Sequence, residues 1–353
     1  MPNLRTLLPL FSLLAGITLS AGCLASQDLA KRFSAEAWQA RRVHANVEVF
    51  SAGHGPERAY VFMPATPNLQ ALPLVLFHHG WLGMNPKNFG ALIDLIVRSG
   101  AVVIYPVYQD GEQTSPQQVT ELAARANALA LKELESRNPG LVDRNRTLYW
   151  GFSMGASISL NLALQPTRYG LPEPRAMLLL APGDAHHVAR GDAARSILGP
   201  IEKLPAKQPV LIASGAADTS IGVPTARAIT GRLCHLPASG RNLIFLPSDS
   251  HGERRIMAGH GSPGAPDSRY DFPDSRRPVA STIPGRQEFE ASASLNLLDY
   301  YGYWRMTMRL LDYVAGQEYP TELFSRTADE NRFLGYWPDG SPYAAAQLED
   351  PCP

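Results

Sequence analysis

The sequence predicts an α/β fold: a mostly parallel sheet of about eight strands with helices on both faces. Three observations predict it. Short apolar runs alternate with segments of helical spacing along most of the chain. Several of these runs, such as LPLVLFHHG (Leu72 to Gly80), are almost continuously apolar, as strands buried on both faces are. No internal repeat interrupts the alternation.

Taken in order, ANVEVFSAG (Ala45 to Gly53) and RAYVFMP (Arg58 to Pro64) alternate with partial period two. They read as antiparallel leading strands joined by a Gly-His-Gly-Pro turn. After the strand Leu72 to Gly80, residues Asn85 to Ser99 carry a helical stripe of Leu92, Ile93, Ile96 and Val97. A buried strand follows at Ala101 to Val107. Ser115 and Pro116 then open a long Ala- and Leu-rich helix reaching about Arg137. The alternation continues with a strand at Thr147 to Trp150, a helix at Ala156 to Leu164 and a strand at Arg175 to Ala181. A helix is expected within Asp192 to Leu204. Next come a strand at Pro209 to Ser214, a helix at Pro224 to Leu233 and a last strand at Asn242 to Leu246. Gly252 to Glu288 is rich in Pro, Gly, Ser, Asp and Arg and breaks the rhythm, so it reads as a long loop. A helix over Ser292 to Val314, ended by Gly316, precedes a tail whose Tyr336, Trp337 and Tyr343 should pack onto the body. One domain over 43–353 is expected, with no large cap, because the stretch from Asp184 to Leu204 is short.

The chain has 353 residues, and Lys plus Arg equal Asp plus Glu at 32 each, so the formal net charge is zero. With no block of like charges, nothing in the sequence points to nucleic acid or an anionic membrane surface as a partner. Residues 1–22 read as an export signal: Arg5 supplies a positive start and Leu7 to Leu19 an apolar stretch too short to span a bilayer comfortably. The sequence Leu-Ser-Ala-Gly-Cys ending at Cys23 resembles a bacterial lipobox, which makes Cys23 a candidate lipid anchor. Ordinary cleavage after Ala21 or Ala25 is the alternative. Either way the protein is expected to be exported, whether periplasmic, outer-membrane-anchored or secreted. Cys234 and Cys352 then remain as a candidate disulfide in an oxidising compartment.

The chemistry-bearing motif is Gly151-Phe152-Ser153-Met154-Gly155, a Gly-x-Ser-x-Gly pattern between an expected strand and an expected helix. Such an elbow holds its serine in a strained backbone conformation, and side chains two positions away would collide with it. A serine hydroxyl needs a histidine base and a carboxylate that orients the histidine. Asp218 follows the strand Pro209 to Ser214, and His251 follows the strand Asn242 to Leu246. The order Ser153, Asp218, His251 makes these the expected triad. Asp184 is a rival acid, and Asp249 is assigned to shaping the turn. For the oxyanion hole the N–H of Met154 and that of Trp81, in His78-His79-Gly80-Trp81, are the candidate donors. His79 is expected to hydrogen-bond within that loop. Neither His78-His79 nor His186-His187 forms a two-tooth metal ligand on a strand, since adjacent residues there point to opposite faces. No phosphate loop or dinucleotide fingerprint stands at a strand end.

The elbow, the His-Gly-Trp loop, Asp218 and His251 together resemble the α/β-hydrolase superfamily over roughly Val43 to Val314. Within it the chain is similar to secreted bacterial serine esterases of the chlorophyllase, platelet-activating-factor acetylhydrolase and cutinase-like polyesterase group. That resemblance implies an α/β-hydrolase fold and hydrolysis of a small-molecule or lipid-like ester through an acyl-serine, with no cofactor. The long Gly252 to Glu288 segment departs from the group. A serine peptidase or amidase shares the triad, and a lipid-anchored binding protein of hydrolase shape is the non-enzymatic alternative.

Overall fold

The computed structural model describes residues 25–188, 191, 195–273 and 284–352. The expected export signal and Cys23 lie outside the described residues, as do positions 192–194 of the helix expected over Asp192 to Leu204. The described remainder of that stretch holds only a 3-10 turn at Ile201–Lys203.

The elements that build the site are α1 (Ala35–Ala40), β1 (Val47–Ala52), β2 (Ala59–Pro64), β3 (Leu72–His78), α2 (Gly90–Arg98), β4 (Val102–Pro106), α3 (Val119–Arg137), β5 (Val142–Phe152) and α4 (Met154–Leu164). They continue with β6 (Ala176–Leu180), β7 (Val210–Gly215), α5 (Gly222–Arg232), β8 (Arg241–Leu246), β9 (Asp249–His251), β10 (Arg254–Ile256), α6 (Pro284–Ser292), α7 (Trp304–Val314) and β11 (Gln347–Glu349). One sheet of nine strands runs in the order β1-β2-β4-β3-β5-β6-β7-β8-β11. The six from β3 to β8 pair parallel, while β1, β2 and β11 pair antiparallel. The sheet is therefore mixed and mostly parallel, with nine strands rather than eight. The ninth is three residues of the tail, too short and too polar to show as an apolar run.

Alternation along each strand divides the core in two. Val75 and Phe77 of β3 face one cluster with residues of α2 and α7, while Leu74 and Leu76 face the other with α3, α4 and α5. Trp150 is fully buried at the centre of the first face, stacked 3.8 Å from Phe77, with its Nε1 donating to Thr307 Oγ1 at 3.1 Å. The expected helix from Ser292 begins later. α6 ends at Ser292, and a π-helix at Asp299–Tyr303 leads into α7. Asp299 Oδ2 accepts from Asn296 N at 2.8 Å, so the carboxylate caps the new start.

The tail is tied down at several points. β11 covers the free edge of β8, Asp350 pairs with Arg241 and Arg326, and Cys234 is bonded to Cys352 across 118 residues. Closing so long a loop limits the unfolded chain by about 5 kcal/mol at most. Cys234→Ala/Cys352→Ala should lower the thermal midpoint by roughly 5 °C relative to the oxidised protein. Calorimetry of the two side by side checks this, and equal midpoints would show that the cross-link adds nothing.

Candidate active site

Ser153 joins β5 to α4 with φ 53° and ψ −125°, a conformation side chains rarely adopt. The neighbouring glycines make it attainable. A Cβ on Gly151 would lie 2.5 Å from the Gly155 carbonyl oxygen, and one on Gly155 would lie 2.0 Å from that of His78. Ser153 N donates to Leu180 O at 3.0 Å, which anchors the turn to the end of β6.

One buried side chain meets the serine and a second buried side chain meets the first. His260 Nε2 lies 3.0 Å from Ser153 Oγ, and His260 Nδ1 lies 2.7 Å from Asp218 Oδ2. The structure brings together Ser153 and Asp218 of the three residues expected from the sequence, and the histidine beside them is His260 and not His251. His251 ends β9 with its side chain 44% exposed, and its Nε2 sits 2.6 Å from Asp339 Oδ2 of the tail. The reason is the hairpin of β9 and β10, which turns the chain outward after β8 before returning it to the site. Asp249 of that hairpin accepts from Ser250 N, Trp337 Nε1 and Ala344 N, so it shapes the turn and also holds the tail.

The returning loop is Ala258-Gly259-His260-Gly261, inside the segment expected to be irregular. Ala258 O accepts from Ala217 N at 3.0 Å, which joins this loop to the one bearing Asp218. Gly261 N donates to Ser292 Oγ at 3.0 Å, and a Cβ there would lie 2.0 Å from Phe289 O. Ser262 Oγ donates to Gly259 O at 2.8 Å and meets Tyr303 OH at 2.7 Å. The signal in the sequence was the pair of glycines flanking His260, a backbone that must pass close to something. Asp218 is positioned by Asp218 N donating to Gly215 O, and Gly222 leaves room for the carboxylate, since a Cβ there would lie 2.1 Å from Oδ2. Asp184, the rival acid, is spent on its own loop: it accepts from Ala185 N, Ile197 N and Ser196 Oγ.

The two candidate donors flank the serine. A Cβ on Gly80 would lie 2.9 Å from Ser153 Cβ, so the peptide joining Gly80 to Trp81 abuts Ser153. Met154 begins α4, where N–H groups lack intrahelical partners and partial positive charge collects. The Cβ direction of Gly183 points at the same spot, 3.0 Å from Ser153 Oγ, 3.5 Å from Met154 N and 3.2 Å from Ile221 Cγ2. An atom can thus stand close to both the hydroxyl and a donor only because residue 183 has no side chain.

Both histidines before Gly80 are fully buried. His78 Nδ1 lies 2.7 Å from Ser159 Oγ and its Nε2 3.0 Å from Asn127 Nδ2, which makes Nε2 the acceptor. His79 hydrogen-bonds within the loop, with Nδ1 2.6 Å from Gly80 O, and reaches Val107 O at 3.0 Å. Burial pushes His78 down to about 3 and His79 down to about 4. Among the described residues no three His, Cys, Asp or Glu side chains are grouped to hold a metal ion.

No protein-family model matches the chain, and no curated protein matches it. Among solved structures it is similar to carboxyl esterase 2 (TmelEST2) from the mycorrhizal fungus Tuber melanosporum, with a TM-score of 0.40 and 18% identity. The match covers 57% of this chain and 77% of that one. Function is therefore read from the geometry above.

His78 and His79 also make a stability prediction. Unfolded, each takes up a proton near pH 6.5, whereas folded they stay neutral down to about 3 and about 4. The unfolded chain therefore binds more protons below pH 6.5, and stability falls as pH drops toward about 4. Urea midpoints measured from pH 7 to 5 should decline, and less steeply in His78→Gln. A flat profile in the native protein would contradict the burial of both rings.

Proposed function

We propose that the protein is a serine hydrolase that cleaves carboxylic esters through an acyl-serine intermediate. The observation that carries this reading is the buried chain of contacts from Asp218 through His260 to Ser153. Asp218 holds the Nδ1–H tautomer of His260 and stabilises the imidazolium. His260 Nε2 takes the proton from Ser153 Oγ as the oxygen attacks the ester carbonyl. The N–H groups of Met154 and Trp81 receive the oxyanion. Collapse of the tetrahedral species breaks the bond to the alcohol oxygen, and His260 returns the proton to it. Water, deprotonated by His260, then attacks the acyl-serine and frees the acid and Ser153. The cycle draws only on these groups and water.

Esters are favoured over amides because an alcohol leaves more readily than an amine. A peptide and ester panel separates the peptidase alternative, and a protein that fluorophosphonate fails to label at Ser153 would be the binding protein instead. The reading includes export, supported by the apolar Leu7 to Leu19 stretch and by the Cys234–Cys352 bond, since disulfides persist in oxidising compartments.

The two histidines give the sharpest test. Ser153→Ala and His260→Ala should each lower kcat on a short-chain p-nitrophenyl ester by about a thousandfold or more. His251→Ala should stay within about twofold, because its side chain is exposed and engaged with Asp339. Loss of activity in His251→Ala with retention in His260→Ala would reverse the assignment. A second test concerns the space over residue 183. Gly183→Ala keeps an ordinary backbone but puts a methyl group against the hydroxyl, so the protein should fold while fluorophosphonate labelling of Ser153 slows about tenfold. Labelling at the native rate would show that substrate approaches from elsewhere.

A further inference from the structure

The loop that carries the Trp81 N–H is a four-residue turn. Gly83 N donates to Gly80 O at 2.9 Å, with Trp81 and Leu82 between them. Leu82 has φ 60° and Trp81 does not have positive φ, which is the type II arrangement. That arrangement wants glycine at the third position, and a leucine there is under steric strain. Type I relieves the strain by flipping the central peptide, so that its N–H and carbonyl exchange directions. The N–H of that central peptide belongs to Leu82. It donates to Gln109 Oε1 at 2.8 Å. Gln109 is 1% exposed and belongs to the segment after β4, and its own Nε2 has no hydrogen-bond partner among the described residues. A buried amide with an unpaired donor is an unfavourable group to retain for packing alone.

We propose that Gln109 is a positioning residue that latches this turn in its strained form. Accepting from Leu82 N, it opposes the flip and so sets the dipole of the peptide that directly follows the Trp81 donor. The inference rests on the esterase reading for its kinetic consequence, but the latch itself is independent of it. Gln109→Met keeps the volume and removes the acceptor; Gln109→Glu keeps an acceptor oxygen. Leu82→Gly removes the strain that the latch opposes.

The experiment measures kcat and KM for these variants and the hydrogen exchange of the Leu82 amide in the full chain. Gln109→Met should lose about tenfold or more in kcat with KM within about twofold, as expected for a donor that acts in the transition state. Its Leu82 amide should exchange at least about tenfold faster than in the native protein. Gln109→Glu should recover most of kcat. In a Leu82→Gly background, Gln109→Met should cost less than about threefold. Native-like kcat and an unchanged Leu82 amide in Gln109→Met would overturn the latch, and so would an equal loss in both backgrounds. If Gln109→Met does not fold, the double variant carries the test: activity near that of Leu82→Gly supports the latch, and inactivity overturns it. Should the native protein hydrolyse no ester, the esterase reading fails, while Leu82 exchange still decides the latch.

Discussion

The approach of α4 to the end of β3 is the contact on which the rest depends. Gly155 lies so close to the carbonyls of His78 and His79 that a Cβ there would stand 2.0 and 2.4 Å from their oxygens. Any side chain would lift the helix off the sheet and take its N-terminus away from the loop bearing Trp81. Gly151 makes the same demand from the strand side, against the Gly155 carbonyl. Between these two contacts Ser153 has one way to connect strand and helix, and it takes the strained one. A conformation of that kind costs about 1–3 kcal/mol and persists only when its surroundings impose it. Here the buried face of α4 and the bond from Ser153 N to Leu180 O impose it.

The histidine arrives by a less direct route. After β8 the chain leaves the sheet as a hairpin, and the polar residues of that hairpin serve the tail: His251 meets Asp339, and Asp249 meets Trp337 and Ala344. The chain then returns through Ala258 and Gly259, crossing Gly215 so closely that a Cβ on the latter would lie 2.1 Å from Ala258 O. Ser292 and Tyr303, from α6 and the π-helix, fasten it from behind. His260 is thus supported by elements distant from it in sequence, while Asp218 is supported within its own turn.

That difference explains what could be read in advance. Ser153 and Asp218 follow strands directly, so the apolar runs that mark β5 and β7 also mark them. Cys234 and Cys352 were legible by counting. His251 satisfied the same rule after β8 and failed because two three-residue strands, β9 and β10, carry no periodic signal of their own. Only the glycines around His260 hinted at a close passage, and glycines in a segment already rich in them are weak evidence of anything. β11 was invisible for a related reason: it is a strand because an open edge of β8 accepts it, not because of its residues. The start of the helix before α7 was misplaced because Asp299 acts as a cap through a fold-back on Asn296 that spacing does not reveal.

The loop from His79 to Gly83 shows how neighbours in the sheet replace neighbours in the chain. Its buried side-chain ties end on the segment running from β4 to Gln109. His79 reaches Val107 O, Tyr108 OH donates to His79 O, Tyr105 OH donates to Gly83 O, and Leu82 N donates to Gln109. The His79 ring stacks with Tyr105 and Tyr108 at 5.2 and 4.0 Å. Both of its nitrogens face carbonyl oxygens, yet burial keeps it neutral above about pH 4, so one nitrogen has no proton to offer. The proton suits Nδ1, whose contact with Gly80 O is the shorter at 2.6 Å, and Gly80 O can accept from both Nδ1 and Gly83 N. The ring thus braces its own loop while its other nitrogen lies 3.0 Å from Val107 O. The order β4-β3-β5 puts that template, the Trp81 loop and the serine side by side at one end of the strands, although more than forty residues separate Gln109 from Ser153 in the chain.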